Sequence, residues 1–324
     1  MMDSAPLACI AVLGPTATGK TRLATTLARQ FNGEIVSADS RQVYQGMDIG
    51  TGKDLEDYGT GPDRIPAHMI DVVPPTAPYN LHSYVRDARR AIVDIAARNR
   101  LPIIAGGSHL YIDALLRNYA LDGGPPDPDL RAAYAECTDA ELAHHLRRLN
   151  PEIHERTDTH HRMRLLRGLE IARSRRVDLP SVPLHPLLLG PYYPRPEIHE
   201  RIAARLDARI EEGLLDEVRR LHEQGVSWER LEFLGLEYRF AARHLQGQID
   251  RDTFRNTLLP AIRRFCKAQE IWLRKLEREG CNIHWVPRGD PETAAELARR
   301  FLAGEDLPAP TIRLNDRLYG PRTQ

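Results

Sequence analysis

The sequence predicts an α/β fold in which a parallel sheet carries helices on both of its faces. Three observations lead to this prediction. Short apolar segments alternate with segments of helical periodicity up to about residue 116. A glycine-rich loop joins the first apolar segment to the first helical one. Farther along, helix-like segments follow one another with no strand between them, and we expect them to form an all-helical insertion.

The predicted strands are short apolar runs. In chain order they are residues 7–13, 34–38, 69–73, 101–105, 187–189 and 283–286. Continuous apolar runs of this kind are typical of strands that are buried on both faces, as in a parallel sheet.

The predicted helices of the core show apolar side chains at helical spacing. They are residues 22–30, 80–98, 196–224, 252–259, 261–279 and 291–302. Because these helices alternate with the strands, each strand can return parallel to its neighbour through a helix packed on one face of the sheet.

The insertion begins after a turn-rich stretch at residues 122–128 and ends with a proline-rich stretch at 179–186. Its predicted helices are residues 130–136, 139–149 and 162–175. The predicted organisation is therefore a core built from residues 1–117 and 183–303 and a helical insertion at 118–182. A mobile tail is expected at 304–324.

The composition is that of an ordinary globular protein of 324 residues with 45 Lys and Arg against 45 Asp and Glu. With zero net charge, a nucleic-acid partner requires an uneven charge distribution. Four cysteines stand far apart, which favours reduced thiols over a metal cluster or a disulfide framework. The apolar run at 7–13 is too short to cross a bilayer. We therefore expect a cytoplasmic location and no membrane association, and nothing implies a protein partner.

The segment Gly14-Pro-Thr-Ala-Thr-Gly-Lys-Thr21 fits the pattern G-x-x-x-x-G-K-[ST] between a strand and a helix. Such a loop aims backbone N–H groups at phosphate oxygens, while Lys20 adds a charge and the Thr21 hydroxyl can bind Mg²⁺. The predicted phosphate-binding residues are Gly14, Thr16, Ala17, Thr18, Gly19, Lys20 and Thr21. The loop alone leaves open which phosphate binds and whether a phosphoryl group moves.

Asp39 follows the second predicted strand, at the edge of the sheet where open α/β folds bind their ligands. This position puts its carboxylate beside the phosphate loop. There it can bind Mg²⁺ through water or accept a proton from a nucleophile. The alternative is that Asp39 and Ser40 only cap the segment that follows.

The phosphate loop together with Ala38-Asp-Ser-Arg-Gln-Val-Tyr-Gln-Gly-Met-Asp-Ile-Gly-Thr51 resembles the tRNA dimethylallyltransferase family of isopentenyltransferases. Further matching segments are Ile65-Pro-Ala-His-Met-Ile-Asp71, Gly106-Gly-Ser-His-Leu-Tyr111, Arg167-Gly-Leu-Glu170, Glu212-Gly-Leu-Leu-Asp-Glu-Val218 and Phe265-Cys-Lys-Ala-Gln-Glu-Ile-Trp272. The matches extend from about residue 9 to 286.

The resemblance implies a P-loop NTPase-like core and transfer of a dimethylallyl group from its diphosphate to N6 of adenine. The adenine is position 37, next to the anticodon of tRNAs that read codons starting with U. Asp39 matches the general base, and the phosphate loop with Mg²⁺ holds the leaving pyrophosphate. Ser108 stands where the family usually has Thr, and Arg263 matches an arginine that binds pyrophosphate. The implied catalytic residues are Asp39, Lys20, Ser108 and Arg263.

The same resemblance implies that the insertion and the helix containing Arg263 hold the tRNA anticodon stem-loop. The implied tRNA-binding residues are Asp39, Ser40, Arg41, Gln42, Ser108, Met163, Arg164, Arg167, Lys267 and Gln269. Basic side chains in the insertion can neutralise RNA phosphates.

The chain also departs from the family pattern. Ile262, Ala268, His161 and Met163 stand where the family usually has Thr, Arg, Asp and Gln, and residues 233–238 replace the usual Ile-Gly-Tyr-Lys/Arg-Glu. Three alternatives therefore stay open. They are an adenylate isopentenyltransferase that acts on a free nucleotide, a small-molecule kinase, and an RNA-binding paralogue with impaired catalysis.

Overall fold

The computed structural model describes residues 5–119, 121, 124–174 and 179–316. Its six strands are β1 Leu7–Leu13, β2 Gly33–Ser37, β3 Ala67–His68, β4 Leu101–Gly106, β5 Leu184–Tyr192 and β6 Ile283–Pro287. They form one sheet in the order β3-β2-β4-β1-β5-β6, and every neighbouring pair is parallel. The predicted α/β fold with a parallel sheet is confirmed.

The helices are α1 Lys20–Gln30, α2 Leu81–Ala97, α3 His109–Leu116, α4 Pro128–Ala133, α5 Asp139–Leu149, α6 Pro151–Arg156, α7 Arg162–Arg173, α8 Arg195–Glu211, α9 Leu214–Glu223, α10 Trp228–Phe233, α11 Leu236–Leu245, α12 Arg251–Arg278 and α13 Pro291–Leu302. Short 3-10 helices occur at Leu55–Tyr58, Gly61–Asp63 and Leu314–Asp316.

Helices cover both faces of the sheet because successive side chains of a strand point to opposite faces. On central strand β1, Cys9, Ala11 and Leu13 belong to the core shared with α2, α3 and α12. Ile10 and Val12 belong to the core shared with α1 and α13. All five side chains are fully buried, so β1 is apolar along its length rather than alternating.

Helices α8 to α12 form a third core with the loops that follow β1 and β2. Leu206, Val218 and Leu258 from this group pack with Tyr44 and Met47 of the second loop. The helical layer therefore lies against the carboxyl edge of the sheet, where the phosphate loop is also located.

Helices α4 to α7 lie within residues 118–182, where we predicted a helical insertion, and they enclose a small core of their own. Leu130, Leu142, Leu146 and Leu165 are buried in it. Residues 122 and 123 of the predicted turn-rich stretch lie outside the described residues. So does residue 175, the predicted end of the third helix of this segment.

Several elements differ from the predicted ones. The strand expected at 69–73 is instead the two-residue β3, because Met69 and Asp71 adopt left-handed backbone conformations with φ of 66° and 55°. The helix expected at 196–224 is divided into α8 and α9 at Gly213, whose φ of 105° favours glycine. Helices α3, α6, α10 and α11 were not predicted.

Helix α12 runs without interruption through Pro260, where we predicted a boundary. Proline removes one hydrogen bond of the helical ladder. Burial of Leu258, Ala261 and Ile262 on both sides of Pro260 compensates for that loss and keeps the helix continuous.

Part of the expected tail, residues 304–324, is docked on the core. The backbone N–H groups of Leu314 and Asn315 donate to the Glu277 carboxylate of α12 at 3.0 Å, and Trp285 Nε1 donates to it at 2.7 Å. Residues 317–324 lie outside the described residues. Among the helices that the structure describes, none combines the length and apolar character needed to cross a membrane.

Candidate active site

A cavity of about 580 Å³ lies at the carboxyl edge of the sheet, between the phosphate loop and the layer of helices α8 to α12. It is lined by residues that follow β1, β2 and β4, and by α8, α11 and α12. Volumes of this size are typical of sites for small ligands. The cavity therefore lies where an open α/β sheet is expected to bind its ligand.

The phosphate loop forms the wall nearest β1. Ala17 and Gly19 have φ of 63° and 78°, and Gly19 directly precedes α1. Alternation of left- and right-handed residues before a helix directs successive N–H groups to one point, which is the geometry of an anion-binding nest. Lys20 Nζ donates to the Pro15 carbonyl at 2.7 Å, so its ammonium group is held over the loop.

Asp39 and Ser108 stand just beyond the ends of β2 and β4, and backbone contacts hold them together. Ser108 N donates to Ala38 O at 3.1 Å, and the Ser108 hydroxyl accepts from Ser40 N at 2.8 Å. These contacts require Gly106, because a Cβ atom there would lie 2.2 Å from Ala38 O. The hydroxyl of Ser108 is therefore used to position the turn that carries Asp39.

The Asp39 carboxylate reaches the cavity with one oxygen already engaged. Oδ1 accepts from Arg41 N at 2.8 Å, and Oδ2 makes no hydrogen bond within the described part of the chain. A half-buried carboxylate with a free oxygen beside a phosphate loop can take up a proton from a ligand.

Gln269 of α12 joins two walls of the cavity. Its Oε1 accepts from Thr16 N at 2.8 Å, and its Nε2 donates to Gly107 O at 3.0 Å. Only 3% of Gln269 is exposed. The predicted RNA-binding glutamine thus has both of its amide atoms engaged in linking the phosphate loop to the end of β4.

Three arginines of α8 lie on one face of the helix, since they are four residues apart. Arg201 Nε donates to Ala17 O at 2.8 Å. Arg205 pairs with Asp54 at 3.0 Å, and Arg209 pairs with Glu237 at 3.5 Å. Arg205 and Arg209 line the cavity. The spacing Arg-x-x-x-Arg-x-x-x-Arg was the signal in the sequence that could have identified this stripe.

Positive charge exceeds negative charge in the cavity wall, although the whole chain is neutral. The cations are Lys20, Arg41, Arg205, Arg209 and Arg239, and the carboxylates are Asp39, Asp54 and Glu237. This local excess meets the requirement for uneven charge and favours an anionic ligand.

Burial changes the proton affinity of several of these groups. It lowers the pKa of Lys20 to about 8, with a further contribution from the charge of Arg205. Burial also raises the pKa of Glu237 against the opposing effect of Arg209. His109, stacked on Trp272 with ring centroids 4.7 Å apart, has a pKa lowered to about 4 by burial and by Lys20, and it is neutral near pH 7.

Eleven of the predicted site residues line the cavity. They are Thr16, Ala17, Gly19, Lys20, Thr21, Asp39, Ser40, Arg41, Gln42, Ser108 and Gln269. Gly14 and Thr18 belong to the phosphate loop but do not line the cavity, because the Thr18 hydroxyl is buried and donates to Pro15 O at 2.9 Å.

Arg263 does not line the cavity, and neither does Lys267. On α12 the residues that face the cavity are Ile262, Phe265 and Gln269, which share one side of the helix. Burial and the charge of Arg263 lower the pKa of His199 on α8, so Arg263 lies near this helix. Its Nε is buried without a hydrogen-bond partner in the described part of the chain.

The predicted RNA-binding residues of the insertion lie on α7 and are partly engaged. Arg164 pairs with Asp158 at 3.0 Å, and Arg167 pairs with buried Glu170 at 2.9 Å. Met163 is 55% exposed. None of these three residues lines the cavity.

Oxygen donors suited to Mg²⁺ are present. The side chains of Thr21 and Asp39 line the same cavity next to the nest of backbone N–H groups. Mg²⁺ prefers oxygen ligands and commonly combines one or two protein groups with substrate phosphates and water. The donor set therefore fits this ion.

The chain matches known protein families. Residues 42–276 match the family model described as IPP transferase, and residues 8–67 match the one described as isopentenyl transferase. The tRNA dimethylallyltransferase 1 of Geotalea uraniireducens is 46% identical over 294 residues, which are 90% of this chain and 96% of that protein. The tRNA dimethylallyltransferase 2 of Citrifermentans bemidjiense is 48% identical, with 89% and 93% covered.

Solved structures have the same architecture. The tRNA isopentenylpyrophosphate transferase from Bacillus halodurans is 29% identical, with a TM-score of 0.65 over 93% of this chain and 96% of that one. A eukaryotic dimethylallyltransferase acting on tRNA is 21% identical and has the same fold, with a TM-score of 0.79 over 93% of this chain and 81% of that one. Since a family match covers well over half of the chain and the curated relatives match along most of their length, this chain belongs to the IPP transferase family.

Proposed function

We propose that this protein transfers a dimethylallyl group from dimethylallyl diphosphate to N6 of the adenine at position 37 of tRNAs that read codons starting with U. The observation that carries the proposal is the presence of Asp39 and the phosphate loop in one cavity, with an excess of cations around them. The curated relatives are named as tRNA dimethylallyltransferases. The substrate tRNA is available in the cytoplasm, where we place the reaction.

The donor end of the site is the phosphate loop. The diphosphate accepts hydrogen bonds from the backbone N–H groups of residues 17–20, and the Lys20 ammonium lies within reach of its oxygens. Arg205 of α8 lines the same cavity, and its positive charge adds to the effect of burial in lowering the pKa of Lys20. We therefore assign Arg205 to the diphosphate. Binding of the diphosphate by Arg263 stays a prediction. On that turn of α12, Ile262 lines the cavity and Arg263 does not.

Mg²⁺ would be held by Thr21 and by the donor phosphates, with Asp39 reached through water. When bound, the ion supplies positive charge that stabilises the departing diphosphate. The residues of the chain provide the remaining stabilisation.

The acceptor end is the turn at Asp39. The adenine must leave the stacked loop to enter the cavity. Its N6 attacks C1 of the dimethylallyl group, the C1–O bond breaks, and its electron pair stays on the diphosphate oxygen. The free Oδ2 of Asp39 takes the proton that N6 loses, while the bond from Arg41 N to Oδ1 keeps the carboxylate in place.

The test is transfer of labelled dimethylallyl in the presence of Mg²⁺. Purified protein is given an anticodon stem-loop with adenines at positions 36 to 38, or AMP, and a parallel reaction contains ATP instead of the prenyl donor. We expect label in the RNA, and mass spectrometry of the digested RNA should place it on adenine 37. Label in AMP alone would indicate the free-nucleotide enzyme, ATP turnover would indicate the kinase, and RNA binding without transfer would indicate the impaired paralogue.

A further inference from the structure

Three of the exposed large apolar side chains lie at the cavity. Phe233 is 62% exposed, Leu110 is 56% exposed and Phe265 is 47% exposed, and all three line it. Single exposed apolar side chains are ordinary, but several at one opening mark a binding surface. A short prenyl group would be enclosed in the cavity, so these exposed side chains suit a larger ligand that extends beyond it.

Phe233 is supported from within the protein by Arg230. The Arg230 guanidinium donates to Pro75 O at 2.8 Å and to Ala77 O at 2.7 Å. Its Cζ lies 5.4 Å from the ring centroids of both Tyr44 and Phe233. The carbonyl contacts fix this arginine, and its contact with the ring holds Phe233 at the end of α10 despite the exposure of the ring.

A second arginine next to the ring is not engaged with a carboxylate. Arg41 Cζ lies 5.5 Å from the Phe233 ring centroid, and Arg41 lines the cavity. No ion pair of its side chain occurs within the described part of the chain. An exposed aromatic ring beside an uncompensated cation is what proteins use for single-stranded nucleic acid, where a base stacks on the ring and a phosphate meets the cation.

We propose that Phe233 is a stacking platform for the unpaired base adjacent to the adenine that enters the cavity, and that Arg41 binds the phosphate between the two nucleotides. This inference rests on the proposed RNA acceptor. It explains why a large aromatic side chain is left exposed at the cavity.

The test compares two substitutions with one control. Phe233→Leu keeps an apolar side chain but removes the aromatic face, whereas Phe233→Trp keeps a face. Leu302→Ala removes an apolar side chain of α13 that is 42% exposed and does not line the cavity. Affinity is measured by fluorescence anisotropy for an anticodon stem-loop, and for two derivatives in which the nucleotide on the 5′ or the 3′ side of the target adenine is abasic.

We expect Phe233→Leu to weaken binding of the intact stem-loop by about five- to fifty-fold, Phe233→Trp to restore it, and Leu302→Ala to leave it unchanged. One of the two abasic RNAs should bind the wild-type protein and Phe233→Leu with almost equal affinity. The reason is that the missing base and the missing aromatic ring each remove the same stacking contact. Thermal unfolding and affinity for dimethylallyl diphosphate monitor folding of each variant.

The proposal would be overturned if Phe233→Leu and each of the two abasic sites weakened RNA binding independently of one another. It would also be overturned if Phe233→Leu bound the intact stem-loop with full affinity. Failure of Phe233→Trp to restore binding, in a folded variant, would also count against stacking. These outcomes are distinct from failure of the proposed function, in which the wild-type protein transfers no dimethylallyl group to the stem-loop.

Discussion

The hydroxyl of Tyr238 donates a hydrogen bond of 2.6 Å to Oε1 of Glu217, a carboxylate that is almost completely buried. The same carboxylate accepts from the backbone N–H groups of Asp48, Ile49 and Gly50 at 2.8, 2.8 and 3.0 Å. Helices α9 and α11 thereby hold the loop whose next residues line the cavity. Gly50 is needed there, because a Cβ atom would lie 2.6 Å from the Tyr238 ring.

The first prediction concerns this carboxylate. Glu217→Ala leaves three backbone donors and the Tyr238 hydroxyl without their acceptor, and it should lower the free energy of unfolding by about 3 kcal/mol or more. Tyr238→Phe removes one of the four hydrogen bonds and should cost about 1 kcal/mol. Urea unfolding followed by circular dichroism measures both. Equal stability of Tyr238→Phe and wild type would show that this hydrogen bond does not support the loop.

The second prediction compares Arg205 with Arg263. Because Arg205 lines the cavity and its charge acts on Lys20, Arg205→Ala should raise KM for dimethylallyl diphosphate by about tenfold or more. Arg263→Ala should raise it much less. Steady-state kinetics with varied donor and saturating stem-loop measures the two values. A large effect of Arg263→Ala with little effect of Arg205→Ala would restore the role that the family resemblance implies for Arg263.

The third prediction is a dependence of donor affinity on pH. Burial lowers the pKa of Lys20 to about 8, so the free protein loses this ammonium charge near that pH. A diphosphate binds the ammonium form more tightly, so affinity should be constant below about pH 8 and should fall above it. Calorimetric titration with dimethylallyl diphosphate and Mg²⁺ between about pH 7 and pH 9.5 measures the change.

Lys20→Arg is the matched control for this titration, since its guanidinium stays charged over the whole range. The variant should bind the donor more weakly but without the fall above about pH 8. If the affinity of Lys20→Arg fell in the same way, another group would cause the pH dependence. If the affinity of the wild type stayed constant up to about pH 9.5, there would be no such dependence.

The fourth prediction concerns Ser108, whose hydroxyl accepts from Ser40 N. Ser108→Ala leaves that N–H unpaired and loosens the turn that carries Asp39, so kcat should fall by about tenfold. Ser108→Thr keeps the hydroxyl and should stay close to wild type. Single-turnover transfer to the stem-loop provides the rates. Equal rates for Ser108→Ala and Ser108→Thr would mean that the hydroxyl does not position the base.

Much of the fold could be predicted because its signals are local. The apolar run of β1, the loop at Gly14–Thr21 and the periodicity of α13 each specify their element from neighbouring residues. The break at Gly213 and the continuity of α12 through Pro260 were not predicted, because backbone conformation and packing from distant elements decide them.

The candidate site was predictable in its phosphate loop and at Asp39, since both are adjacent to strand ends. The opposite wall of the cavity was not predictable. Arg205, Glu237 and Phe233 reach the cavity only because α8, α10 and α11 fold back against the sheet edge. On α12, the choice between Ile262 and Arg263 depends on a helix rotation that sequence spacing alone does not fix.

The role of Asp39 as general base is the central claim, and Asp39→Asn tests it most directly. The amide keeps the size of the side chain and can still accept from Arg41 N, but it cannot take the N6 proton. Single-turnover prenyl transfer to the anticodon stem-loop is measured together with the Kd of the RNA. We predict a rate lower by at least about a hundredfold with an RNA affinity close to wild type. A rate within a few-fold of wild type would contradict the assignment.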